Sequence, residues 1–219
     1  MEPNILLNVT KDSFTQLFVA LFIGLIVFGI LKILKRKKSF VEFIGFKNPS
    51  SQMDKKYFAI LFGLAFFSVV TTYLQFSFSD TFRGFLTSDT SPYGKILKGS
   101  GVGIISLLSG FIYCFVSAGG SEEILFRGLI AKNLLKWLGN FYGNIVQALI
   151  FWLMHLLIFR FVTGEWFSWV QAFGFVVSFG LGLILGYVNF RKNGESIWPS
   201  WIAHGTVNFV TFLTLFFLF

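Results

Sequence analysis

Gly99-Ser-Gly-Val-Gly-Ile-Ile-Ser-Leu-Leu-Ser-Gly-Phe-Ile-Tyr-Cys-Phe-Val-Ser-Ala-Gly-Gly-Ser121 runs directly into Glu122-Glu123-Ile124-Leu125-Phe126-Arg127. The first part holds 23 residues without a charge. As helix, at about 1.5 Å per residue, such a run crosses a hydrocarbon core of about 30 Å. Five more uncharged runs surround it: Ser13–Leu31, Tyr57–Ser79, Trp137–Phe159, Trp166–Phe190 and Ser196–Phe219, of 19, 23, 23, 25 and 24 residues. None alternates in the manner of a barrel strand, so helices are the only spanning structure open to them. The runs predict an all-α integral membrane protein of six transmembrane helices.

Composition argues the same way. Of the 219 residues 55% are hydrophobic and 13% charged, and mean hydropathy is +0.74. A soluble domain carries roughly 25% charged residues to face water. The same numbers exclude an intrinsically disordered chain, and the net charge of +8 is not laid out as the basic stripe of a nucleic-acid-binding module. One cysteine, Cys114, excludes an internal disulfide framework.

The cations set an orientation. Lys32, Lys35, Arg36, Lys37, Lys38, Lys47, Lys55, Lys56, Lys132, Lys136, Arg191 and Lys192 fall on one side of a six-span topology, twelve in all, against Lys11, Arg83, Lys95, Lys98 and Arg160 on the other. Twelve against five predicts both termini outside and the basic loop in the cytoplasm. The first run reads as an anchor, because its basic cluster follows the apolar stretch and no small-residue cleavage site is evident. Trp137, Trp166, Trp169, Trp198 and Trp201 sit near run ends, as interfacial belts require. The stretch between Phe78 and Lys98 reads as a polar, turn-rich loop. The first two spans carry no ionisable residue within their apolar runs. This divides the chain into a two-helix N-terminal part, residues 1–98, and a four-helix core, residues 99–219.

Polar groups at membrane depth cost several kcal/mol unless they are paired or face a wet cavity. Both histidines, His155 and His204, lie within apolar runs. His204 and Asn208 are four apart and share a helix face. In Gly119-Gly120-Ser121-Glu122-Glu123, the glycine pair predicts a helix break, Ser121 a cap, and the acids a first turn favoured by the helix dipole. Glu123 can pair with Arg127 four residues on, while Glu122 lies about 100° around the helix and is free to point elsewhere. A turn near Gly139–Asn140 would make an antiparallel hairpin. Glu122, 17 residues before Gly139, and His155, 16 after it, would then stand at one height. Gly174, Ser178, Gly182 and Gly186 recur every fourth residue, a small-residue stripe for close helix packing.

These residues resemble a known family. Glu122-Glu123-x-x-x-Arg127, Phe151-x-x-x-His155, Phe179 with Gly182, and His204-x-x-x-Asn208, in this order, are similar to the motifs of the CAAX-protease and bacteriocin-processing (CPBP, or Abi) intramembrane endopeptidases. The similarity covers roughly Gly99 to the C-terminus. Eukaryotic relatives remove the last three residues of prenylated CAAX proteins. The resemblance implies catalytic roles for Glu122, His155, His204 and Asn208. Glu122 would activate a water shared with His155, and His204 and Asn208 would hold the oxyanion. Glu123 and Arg127 would brace the site. It also implies a multi-pass protein of a prokaryotic cell membrane, with a membrane-associated peptide or a lipidated protein as substrate. Glu122, His155 and His204 could alternatively supply three zinc ligands with an open position, although no H-E-x-x-H motif is present. Two other functions fit the same features: a non-proteolytic bacteriocin self-immunity or regulatory protein, and a small transporter with the buried acids and histidines as a proton relay.

Overall fold

A computed structural model describes residues 4–33, 39–49, 55–164, 169–192 and 194–219. Lys35, Arg36, Lys37, Lys38 and Trp166 lie outside the described residues. Every regular element within them is helical. In chain order these are α1 (Ile5–Ile33), α2 (Phe40–Phe43), α3 (Lys55–Phe78), α4 (Asp80–Leu86), α5 (Pro92–Ser100) and α6 (Ile104–Ile112). α6 continues through wide π turns at Tyr113–Ser121 and Glu123–Ala131 into α7 (Lys132–Thr163). α8 (Trp169–Tyr187), with a π turn at Val188–Lys192, and α9 (Trp198–Leu218) complete the chain.

Among the described residues five helices are long and apolar enough to cross a membrane, which makes this a multi-pass architecture. The sequence predicts six separate spans. The third and fourth runs are instead joined without a loop, in one helical stretch of 60 residues, Ile104–Thr163. It reverses at Gly139, whose backbone (φ 78°, ψ 167°) lies where side chains with a Cβ are strained. Beyond the reversal the two limbs lie side by side. A Cβ on Gly143 would come within 2.5 Å of the Leu135 Cα, and the rings of Phe126 and Phe151 meet edge to face at 5.0 Å.

The stretch after Phe78 is not the loop its turn residues predict. Ser79 caps α4 by accepting from the Phe82 amide, Asp80 occupies the first turn, and Pro92 opens α5. Leu86, Ile96 and Leu97 then pack against Ile5, Val9, Phe212 and Phe216, closing one end of the molecule. At the other end a Ser39–Glu42 capping box starts α2, and Phe43 and Ile44 pack on Leu129. Lys132 and Lys136 gather there with Lys32 and Glu195.

α1 packs along α6 and both π segments, α3 along α9, and α7 against α8. The outer surface is apolar, with Phe14, Phe18, Phe62 and Phe66 among its exposed side chains. Trp137 is exposed near the end of its run. Trp201 is not a free belt residue: its ring stacks on Trp198 and its indole N–H donates to the Phe115 carbonyl. The small-residue stripe on α8 divides its duties. Gly182 and Gly186 take the close approach of Ala148 and Asn144, where Gln147 Nε2 donates to the Gly182 carbonyl at 2.7 Å. Gly174 and Ser178 face a cavity instead.

Candidate active site

Gly119-Gly120 does not break its helix, as the sequence predicts it should; the missing side chains are used for contact. A Cβ on Gly119 would sit 3.2 Å from both the Cα and the backbone nitrogen of Gly205, and one on Gly120 would lie 2.5 Å from the Trp201 ring. α9 therefore presses directly on the π segment. The π turns keep the backbone bonded while widening it, a distortion often found at functional sites. Ser121 consequently lies inside the helical stretch and caps nothing.

This approach sets Glu123 beside α9. Its Oε1 accepts from His204 Nδ1 at 2.9 Å and lies 3.1 Å from Arg127 Nη1; its Oε2 accepts from the Ser200 hydroxyl. Glu123, Arg127, Ser200 and His204 are all buried. The pairing of Glu123 with Arg127 follows from their four-residue spacing, whereas Ser200 escaped the sequence reading. Its only sequence signal is its position four residues before His204, one turn away on the same helix. With Nδ1 donating to a carboxylate, His204 presents Nε2 to its other side.

On that side stands Glu122, whose Oε2 lies 3.8 Å from His204 Nε2 and 4.0 Å from His155 Nε2. His155 Nδ1 is bonded to the Phe151 carbonyl at 2.8 Å, one turn back on its own helix, so its Nε2 too faces inward. Both separations exceed a hydrogen bond and suit a bridging water. Glu122 Oε2 makes no hydrogen bond among the described residues. Phe151, fully buried, ties the groups together: its ring lies 4.5 Å from His155, 5.7 Å from His204 and 4.4 Å from the Arg127 guanidinium.

His155, His204 and Asn208 line a cavity of about 1010 Å³ bounded by α3, α4, α7, α8 and α9. Asn208 is half-buried there; its carbonyl accepts from the Tyr93 hydroxyl at 3.4 Å, and its side-chain amide bonds to no described residue. Tyr93, on α5, escaped the sequence reading because it lies in the stretch read as a loop. Glu122, His155 and His204 are the three residues that could hold zinc. Among the described residues, however, no group of three His, Cys, Asp or Glu side chains is arranged to hold a metal ion.

The model of the type II CAAX prenyl endopeptidase family, Rce1-like, matches residues 104–210, a stretch that holds every site residue named from the sequence and leaves α1 and α3 outside. No curated protein and no solved structure matches the chain. Over residues 104–210 the chain is similar to the Rce1-like type II CAAX prenyl endopeptidases, a protease family, and within that stretch Glu122, His155 and His204 meet in one place.

Proposed function

We propose that the chain is an intramembrane endopeptidase that hydrolyses a peptide bond of a membrane-associated or lipidated substrate. The carrying observation is the Glu122 carboxylate. Its Oε2 makes no hydrogen bond among the described residues and faces two imidazole nitrogens at 3.8 and 4.0 Å, and both imidazoles line a large cavity.

A water between these three groups gives up a proton to Glu122 as its oxygen bonds to the scissile carbonyl carbon. The carbonyl oxygen becomes an oxyanion, held by the Asn208 amide and by His204. Protonated on both nitrogens, His204 donates from Nδ1 to Glu123 and from Nε2 to the oxyanion. Collapse breaks the C–N bond, and Glu122 returns its proton to the leaving nitrogen. His155 orients the water. Glu123, anchored by Arg127 and Ser200, holds the His204 ring in place, as the acid of a catalytic triad does.

In this reading residues 99–219 supply every reacting side chain and residues 1–98 supply walls. In it the hairpin at Gly139 counts as two crossings, for six in all, with both termini outside. The test is cleavage of a labelled lipidated peptide by the purified protein in detergent. Wild type is expected to cut it and Glu122→Gln to leave it intact; equal cleavage by both removes Glu122 from the mechanism.

A further inference from the structure

α3 is built with its polarity inverted. Its buried residues, Tyr57, Ser68, Thr71, Thr72 and Gln75, are all polar, while Phe58, Phe62, Phe66 and Phe78 are exposed. Ser68, Thr71, Thr72 and Gln75 follow the i, i+3, i+4, i+7 spacing of a single helix stripe. Packing accounts for two of them. Ser68 Oγ meets Thr211 Oγ1 at 2.5 Å and the Val207 carbonyl at 3.3 Å, and Thr71 Oγ1 bonds to the Ser68 carbonyl at 3.1 Å. Thr72 and Gln75 are only 5% and 6% exposed, bond to no described residue, and line the cavity. At membrane depth two such groups are costly unless something enters to meet them.

The contacts of α3 with α9 locate the stripe relative to the site. Tyr57 bonds to Pro199, and Ser68 to Val207 and Thr211, so the helices run parallel with an offset of 139 to 143 residues. Asn208 is therefore level with Phe67, to within a turn. Gln75 is eight residues further along, about 12 Å at 1.5 Å per residue. An extended peptide covers that length in roughly four residues.

The chemistry of the walls narrows the occupant. Among the described residues no Asp, Glu, Lys or Arg lines the cavity, so an ion finds no counter-charge there. Phe67, Phe82, Phe85, Trp152 and Phe159 make the remainder greasy, and a bare hydrocarbon chain has no use for a hydroxyl and an amide. The Gln75 amide both donates and accepts, as a backbone amide does. We propose that Thr72 and Gln75 hold the main chain of an extended peptide along α3, over the roughly four residues flanking the scissile bond. This rests on the peptidase reading and deepens it: a helix outside the family match becomes part of the substrate site.

The test is a binding measurement, independent of turnover. The Glu122→Gln protein in detergent micelles is titrated with a fluorescent lipidated octapeptide, with and without Thr72→Val and Gln75→Leu. Loss of two neutral hydrogen bonds is expected to weaken binding about tenfold. The Tm should stay level or rise, because both changes replace unbonded polar groups by apolar ones of similar size. The same peptide N-methylated at the four residues should bind weakly to the unmodified α3 and lose nothing further on the double substitution. Equal affinity with and without the α3 changes, absence of saturable binding, or weaker binding accompanied by a fall in Tm overturns the proposal. Failure of wild type to cleave would instead count against the peptidase reading and leave this measurement standing.

Discussion

Glu122 and Glu123 are the same side chain one residue apart, and their surroundings give them opposite jobs. The turn of the helix from one residue to the next sends one carboxylate into a nest of Arg127, Ser200 and His204 and leaves the other with its Oε2 facing two ring nitrogens and without a hydrogen bond among the described residues. Their substitutions should therefore separate. If Glu122 is the proposed base, Glu122→Gln should lower peptide hydrolysis by roughly 10² to 10⁴, the usual worth of a positioned proton acceptor, with Tm unchanged. A large loss of Tm would mean that Glu122 is structural. Glu123→Ala leaves the buried Arg127 guanidinium without its partner, and such breakage costs about 3–5 kcal/mol. Thermal unfolding in detergent should register that as a marked drop in Tm, together with lost activity.

At the level of elements, two glycines matter for different reasons. Gly139 holds a backbone conformation that other residues adopt only under strain, and it closes the hairpin that sets Glu122 level with His155. Gly139→Ala should cost about 1–3 kcal/mol. Gly63→Ala, in the helical and open surroundings of α3, should be neutral or slightly stabilising in the same melting experiment. Gly119 works by absence of bulk. An added Cβ would lie 2.9 Å from the Cys114 carbonyl oxygen and 3.2 Å from the Gly205 backbone, and neither can swing aside as a side chain would. Gly119→Ala should push α9 outward, lowering Tm by an overpacking cost of about 1–3 kcal/mol and depressing kcat as His204 leaves Glu122. Full activity in this variant would show that the approach of the two helices is not what assembles the site.

For the whole molecule, the two ends differ in charge. Lys32, Lys132 and Lys136 meet at the end that also carries α2, while both described chain ends pack with α4 and α5 at the other. If the basic end is cytoplasmic, a cysteine at Asn140 should react with a membrane-impermeant maleimide only after cells are opened, and one at Thr90 in intact cells. Both positions are exposed, and the native Cys114 is buried and should stay silent. Labelling of both from the same side would refute the six-crossing topology.

Hydropathy and charge are local properties, so the membrane class and the pairing of Glu123 with Arg127 could be read from the sequence alone. The motif residues were also legible, since E-E-x-x-x-R and the two histidine motifs are short patterns in fixed order. How closely one helix approaches another, and which way it is rotated, depends on atoms far apart in the chain. Gly119-Gly120 as a contact surface, the helices α4 and α5 in a stretch rich in turn residues, Ser200 beneath His204, and the inward polar stripe of α3 all belong to that second kind. The stripe's i, i+3, i+4, i+7 spacing was present in the sequence, but only packing against α9 turned it toward a cavity and left two of its groups unbonded.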